Sequence, residues 1–128
     1  MRTGIALAAL VALSPAARGS NPTVWVLDNR SPGILFVACR ASGGEAGAAR
    51  AEFRQLVPAR GTYRHTWGLR VSDASLGLRP GRWRCAASRA ADPLADRRAQ
   101  ALVFDTGWGE DLHVRIFLDR GRVTLQRL

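Results

Sequence analysis

The chain has 128 residues and a formal net charge of +9, and all nineteen of its basic residues are arginine. This length is enough for one domain with one hydrophobic core and is too short for two. Beyond the N-terminal segment, no apolar run approaches the roughly 20 residues that cross a bilayer as a helix. The sequence therefore predicts a single domain without a transmembrane segment.

The arginine content favours acidic partners, because arginine keeps its charge at any working pH and forks onto carboxylates and phosphates. We expect a protein receptor or another acidic surface, or an anionic glycan. Local groups of arginine are few: Arg82, Arg84 and Arg89, and the pair Arg97 and Arg98. Nucleic-acid binding normally uses a stripe or patch, so a nucleic-acid partner is not expected. A GC-rich genome that favours arginine codons would give the same composition.

The N-terminus has the layout of a secretory signal peptide. Arg2 gives a positive start, Ile5–Leu13 is an unbroken apolar run, and small residues lead into Ser20. This order of charge, apolar core and small residues is typical of a cleaved export signal. The alternative is a buried N-terminal helix of the domain.

Cleavage after Ala16 or after Gly19 satisfies the requirement for small residues at the cut. We expect residues 1–19 to be removed and residues 20–128 to form one secreted domain. The protein would then be extracellular or, in a bacterium, periplasmic.

The first half of this domain predicts strands joined by turns. Thr23–Leu27 is β-branched and aromatic and ends at a turn cluster, Asp28–Gly33. Gly33–Arg40 is apolar on both faces, which indicates a central strand. Ala41–Ala49 is a small, flexible loop. Arg50–Val57 is either a further strand or a helical turn.

The clearest alternation lies at Tyr63–Arg70, where Tyr63, His65, Trp67 and Leu69 share one face. A period of two predicts a half-buried strand. Val71–Leu78 follows as an irregular segment with turn chemistry.

The second half predicts two more strands and a hairpin. The strands and connections are Arg82–Ala87, a polar loop or short helix at Ser88–Gln100, Ala101–Thr106, and Leu112–Asp119 joined through Arg120-Gly121 to a last strand that contains Val123 and Leu125. Leu112, Val114, Ile116 and Leu118 form the apolar face of that hairpin.

Seven to eight short strands with turn signals between them predict an all-β, antiparallel β-sandwich. Cys39 and Cys85 fall at inward positions of central-looking strands, and an even cysteine count in an exported chain favours a disulfide. The alternative is two buried free thiols. Neither cysteine has the spacing of a metal site, and we expect no metal and no cofactor.

Catalysis has weak support in the residue pattern. A small secreted ribonuclease would need acid–base groups and a phosphate-binding arginine on one sheet, for which His65, Glu52, Arg84 and His113 are the candidates. His65 lies on an apolar face and His113 on an outer face of its strand, so a shared site is not expected. A serine nucleophile motif is missing. The sequence therefore favours a protein that is not an enzyme.

Surface recognition is better supported. Trp108 stands between Gly107 and Gly109 in a turn, where we expect it to be exposed and to serve as the main contact residue. The alternative is that Trp108 folds back onto the edge of the sandwich, since tryptophan is highly buried on average. Arg84 and Arg115 are the other binding candidates. Asn29-Arg30-Ser31 matches a glycosylation sequon.

Several short segments, in order, resemble the plant self-incompatibility protein S1 family, the S-protein homologues. They are Val24–Asn29, Phe36–Ser42, Trp83-Arg84-Cys85, Phe104-Asp105 and Val114–Gly121. The resemblance implies a small, secreted, disulfide-bonded β-sandwich that acts as an extracellular signalling ligand.

We therefore expect a small secreted binding or signalling module that acts by surface recognition. The alternatives are a small secreted basic hydrolase of the ribonuclease kind and a periplasmic inhibitor or accessory protein.

Overall fold

Eight β-strands form two four-stranded sheets in the computed structural model, which describes residues 23–67 and 79–128. The predicted signal peptide and the irregular segment Val71–Leu78 lie outside the described residues, as does the end of the predicted strand at Tyr63–Arg70. No helix in the described part of the chain is both long and apolar enough to cross a membrane.

Sheet I has the strand order β4-β1-β7-β8. Its strands are β1 (Thr23–Asn29), β4 (Thr62–Trp67), β7 (Leu112–Asp119) and β8 (Arg122–Arg127). β1 pairs antiparallel with β4 and parallel with β7, and β7 and β8 form an antiparallel hairpin. The first strand of the described domain therefore lies beside the penultimate strand, and the last strand, β8, is at the edge of the sheet.

Sheet II has the order β3-β2-β5-β6 and is antiparallel throughout. Its strands are β2 (Leu35–Gly43), β3 (Glu52–Val57), β5 (Gly81–Ser88) and β6 (Leu102–Thr106). β2 is a central strand, as its two apolar faces predicted. Within the ambiguous segment Arg50–Val57, the residues from Glu52 onward form a strand, not a helical turn.

The core lies between the two sheets and is built around Trp25, which is fully buried. The indole of Trp25 packs edge-on against Trp83 and Trp67, with ring centroids 4.7 and 5.3 Å away. Alternation of buried and partly exposed residues along β1 places every second side chain in this core. The predicted all-β sandwich is confirmed, with one parallel pair, β1–β7, among its antiparallel pairs.

The predicted disulfide is also confirmed. Cys39 and Cys85 are directly paired on β2 and β5, 46 residues apart in sequence. Both are buried. The bond therefore joins neighbouring strands of sheet II and does not bridge the two sheets.

The loop predicted at Ala41–Ala49 is more structured than expected. β2 continues to Gly43, and a one-turn helix, α1 (Gly44–Ala48), follows. Ala46 is buried against Gly81, where a Cβ atom on the glycine would come within 2.6 Å of the alanine Cβ. The small residues in this segment permit close packing against β5, so their abundance marks contact and not flexibility.

The connection at Ser88–Gln100 contains a single 3-10 turn, Pro93–Ala95. This turn packs on the outer face of sheet II against β2 and β5. Ala38 and Ala86 are buried although they point away from the core, because the connection covers them.

The final hairpin turns at Arg120 and Gly121, with φ angles of 54° and 78°. Two consecutive residues with positive φ are typical of the two-residue hairpin turn that the sequence predicted. Leu118 was predicted on the buried face, and this is wrong, because its side chain is 42% exposed. β7 extends beyond the end of the core, so its last apolar residue faces solvent.

Candidate functional site

Trp108 lies in the turn between β6 and β7 and is 60% exposed, whereas Trp25, Trp67 and Trp83 are buried. The predicted exposure is confirmed. No other aromatic residue among the large exposed hydrophobic residues of the described chain reaches this exposure. Trp108 is therefore an indole presented to solvent on a turn.

The turn that carries Trp108 closes on itself. Glu110 Oε1 accepts a hydrogen bond from the Gly107 N–H at 2.6 Å, and the Glu110 N–H donates to the Gly107 carbonyl at 3.4 Å. Gly109 takes a φ of +60°, a conformation that other residues seldom adopt. These contacts define the backbone of the turn that carries Trp108.

The same turn is fastened to sheet I. The Val24 N–H donates to Asp111 Oδ1 at 2.8 Å, and Trp25 Nε1 donates to the Glu110 carbonyl at 3.3 Å. Arg127 forms an ion pair with Glu110 at 2.7 Å. Contacts to β1 and β8 hold the turn in place, so Trp108 sits on a rigid support.

Arg127 also connects the turn with the neighbouring sheet. Its guanidinium donates to the Asp105 carbonyl at 3.1 Å and lies 5.4 Å from the Phe104 ring centroid. Asp105 in turn pairs with Arg82. The hydrogen bond from Arg82, together with its charge, lowers the pKa of the Asp105 carboxyl group below its ordinary value.

Arg84 and Arg115 do not share one surface. Arg84 alternates with the inward residues Trp83 and Cys85 and is exposed on the outer face of sheet II. Arg115 alternates with buried residues of β7 and points to the outer face of sheet I. The two arginines lie on opposite faces of the sandwich and cannot jointly flank Trp108.

Arg115 is partly covered. It pairs in register with Asp28 of β1 and Gln126 of β8, and its Nε atom is buried with no hydrogen-bond partner among the described residues. Arg84, by contrast, has an exposed side chain and makes no ion pair within the described ranges. Arg84 is therefore the more accessible of the two.

The four residues considered for a ribonuclease site are not brought together. His65 is 2% exposed and stacks on Phe53 in the core, with ring centroids 4.6 Å apart. His113 is exposed on the outer face of sheet I, while Glu52 and Arg84 lie on the outer face of sheet II. The body of the sandwich separates these groups.

The sequon asparagine has a structural role. Asn29 is fully buried, and its Nδ2 atom lies 3.0 Å from the Gly33 carbonyl, 3.3 Å from the Val57 carbonyl and 3.0 Å from the Pro58 carbonyl. Its Oδ1 atom accepts a hydrogen bond from the Ser31 N–H. The amide that glycosylation would modify is enclosed by these contacts.

A cleft at the end of the sandwich opposite Trp108 has a volume of about 910 Å³ and is lined by arginine. Four of its lining residues are arginines: Arg89, Arg97, Arg98 and Arg122. Sequence reasoning noted Arg89 and the Arg97-Arg98 pair but not the cleft, because Arg122 reaches it from a distant hairpin. In the sequence, only the local groups of arginine, Arg89 among them and the pair Arg97-Arg98, indicated such a cleft.

Comparison with known proteins finds no matching family model, no matching curated protein and no matching solved structure. The resemblance to the S1 family stays a prediction. Within the described residues, no three His, Cys, Asp or Glu side chains are placed to hold a metal ion.

Proposed function

We propose that this protein is a non-enzymatic binding or signalling module that acts by surface recognition, with Trp108 as its main contact residue. The single observation that carries the proposal is an indole 60% exposed on a turn fixed by hydrogen bonds and an ion pair. Tryptophan is enriched among the few residues that carry most of the binding energy at protein interfaces.

The rigidity of the turn supports this role energetically. Binding costs less free energy when a contact residue is already held in its bound orientation. The Glu110 side chain closes the turn on the Gly107 N–H, and the Asp111 side chain accepts from the Val24 N–H of β1, so the backbone around Trp108 needs little further ordering when a partner covers the indole. Tryptophan in such a position typically contributes about 2 kcal/mol or more to binding.

We also propose that the protein is exported. The Cys39–Cys85 disulfide supports an oxidising compartment, and the N-terminal sequence supports a cleaved signal peptide. Within this class, the S1-like order of segments favours an extracellular signalling ligand. Intact-mass measurement on secreted material tests export, and a secreted chain that still begins at Met1 would contradict the cleavage.

The binding proposal is tested by capture from the extracellular or periplasmic extract of the source, using the mature chain, Trp108→Ala and Val103→Ala. Val103 is a matched control, since it is 57% exposed on the neighbouring strand β6. We expect a partner that the mature chain and Val103→Ala retain and that Trp108→Ala binds about 30-fold more weakly, which corresponds to about 2 kcal/mol.

Two outcomes would overturn the proposal. One is equal partner binding by the mature chain and Trp108→Ala. The other is a large fall in the melting temperature of Trp108→Ala, which would show that the indole supports the fold and not a partner.

A further inference from the structure

Four arginines converge on the cleft from three parts of the chain. Arg89 follows β5, Arg97 and Arg98 belong to the connection before β6, and Arg122 begins β8. None of them forms an ion pair with an acidic residue of residues 23–67 or 79–128. Asp96 is the one acidic residue of the lining, and Asp119 lies directly opposite Arg122 in the hairpin, so the four arginines leave an excess of positive charge that attracts anions.

One acidic side chain lines the cleft, and it is already engaged. Asp96 Oδ1 accepts a hydrogen bond from the Arg98 N–H at 2.9 Å, and the Asp96 carbonyl accepts one from the Ala99 N–H at 3.1 Å. These bonds close a turn in which Arg97 and Arg98 are the central residues. Asp96 therefore shapes the turn that displays the two guanidinium groups.

Arg89 is also held against the chain. An ideal Cβ atom on Gly33 would lie 3.7 Å from one terminal nitrogen of Arg89, so the guanidinium group packs over that glycine. Arg122 begins β8 directly after the tight turn at Arg120 and Gly121. The guanidinium groups are thus displayed from short, well-defined turns.

Besides the charged residues, the cleft lining combines polar Ser88 and Gln100 with small or aliphatic residues, and it has no aromatic side chain. Ala87, Ala99, Leu118 and Val123 contribute to its lining. Leu118 is 42% exposed and presents an apolar side chain to the cleft. Proteins that bind single-stranded nucleic acid stack bases on aromatic rings, and this cleft offers none.

We propose that this cleft is a binding site for an anionic oligosaccharide, whose sulfate or carboxylate groups are forked by the guanidinium groups while the carbon face of a sugar ring packs on the apolar lining. Arginine suits both kinds of oxyanion because its planar fork makes two parallel hydrogen bonds. A volume of about 910 Å³ falls in the upper range of small-ligand sites. The proposal is independent of Trp108, which lies at the other end of the sandwich.

The test is calorimetric titration of the full chain with three probes: a heparin-derived hexasaccharide, a hexagalacturonate, and a neutral hexasaccharide. The cleft variants are the double change Arg97→Gln with Arg98→Gln, and the single change Arg89→Gln. The control is Arg50→Gln with Arg64→Gln, which removes the same charge from two exposed arginines outside the cleft.

We expect the sulfated or the uronate hexasaccharide to bind and the neutral one not to bind. The double cleft variant should lose at least tenfold in affinity, Arg89→Gln several-fold, and the control less than twofold. The tighter of the two charged probes identifies sulfate or carboxylate as the preferred group.

Three results would overturn the proposal: no binding of either charged saccharide, an equal loss in the control variant, or tighter binding of an acidic peptide or a single-stranded oligonucleotide. The last would assign the cleft to a different class of partner. Matching melting temperatures of the variants and the parent chain ensure that lost affinity reflects the cleft.

Discussion

Arg40 and Arg84 lie directly opposite each other on β2 and β5, one residue along from the disulfide between Cys39 and Cys85. Like charges at directly opposed positions of a sheet destabilise the pairing. Arg40 is relieved by an ion pair with Glu52, whereas Arg84 has no ion pair in the described part of the chain. The disulfide therefore holds the two strands together next to a pair of opposed positive charges, Arg40 and Arg84, on the outer face of sheet II.

The disulfide should account for a large part of the stability. Replacing both cysteines by alanine should lower the free energy of unfolding by about 2–5 kcal/mol, measured by urea denaturation. Thiol titration of the unfolded, unreduced parent chain should detect no free thiol. Two reactive thiols per chain would contradict the bond between Cys39 and Cys85.

Relief of the arginine repulsion should have the opposite effect. Arg84→Gln should raise the free energy of unfolding by a few tenths of a kcal/mol, because it removes one of the two opposed charges. Arg64→Gln, on an exposed position of β4 beside Val26, is the control and should have no such effect. A loss of stability in Arg84→Gln would show that Arg84 makes a favourable contact.

Asn29 should be essential to the end of the sandwich that it caps. Asn29→Ala leaves several buried polar groups without their partner, and we expect a loss of about 2–4 kcal/mol in the free energy of unfolding. Asn29→Asp keeps the acceptor for the Ser31 N–H and loses the donors, so it should also destabilise. Stability equal to the parent in both variants would contradict the role of this side chain.

Gly81 should tolerate no side chain. A Cβ atom there would lie 2.6 Å from Ala46 Cβ and 2.8 Å from the Gly43 carbonyl oxygen. Gly81→Ala should therefore cost about 1–3 kcal/mol through overpacking. Gly107→Ala is the matched control, because its nearest neighbour would be Glu110 Oε1 at 3.6 Å, and thermal unfolding should show a large shift only for Gly81→Ala.

The four tryptophans should separate by their access to a quencher. Acrylamide should quench the emission of Trp108 strongly, because its indole is 60% exposed. It should quench the other three indoles weakly, because they are at most 3% exposed. Trp108→Phe should remove most of the quenchable emission and shift the remaining spectrum to the blue. Strong residual quenching in that variant would contradict the burial of Trp25, Trp67 and Trp83.

Acid should weaken the contact between β5 and β6 through Asp105. The hydrogen bond from Arg82 and its charge lower the folded-state pKa of Asp105. The contribution of this pair to stability is therefore present above the unfolded pKa of about 3.9 and is lost as the pH falls through the lowered folded value. Asp105→Asn should flatten the acid limb of the stability curve, Arg82→Gln should do the same, and unchanged curves would contradict the pairing.

Most of the strands were predictable because their determinants are local. Alternation of polar and apolar residues located β4 and β7, and the two apolar faces of Gly33–Arg40 indicated the central place of β2. The disulfide followed from the inward positions of Cys39 and Cys85. The exposure of Trp108 followed from the glycines on either side of it.

The features that the sequence did not predict depend on contacts between distant segments of the chain. The parallel pairing of β1 with β7 has no signature in either strand. The helix α1 forms where Ala46 packs against Gly81, a residue far along the chain. The arginine-lined cleft joins Arg122 to the connection at Ser88–Gln100. Such pairings are decided by the whole core, so local pattern does not reveal them.

The parallel contact between β1 and β7 has a consequence for the timing of folding. Sheet II is complete in sequence once Thr106 has been made, but Trp25 gains its neighbour Leu112 only when the last strands follow. Pairings between remote segments close slowly because the intervening chain must first be ordered. A nascent chain arrested before residue 112 would contain the strands of sheet II and the β1–β4 pair but neither β7 nor β8, so sheet I is completed only after these last two strands have been made.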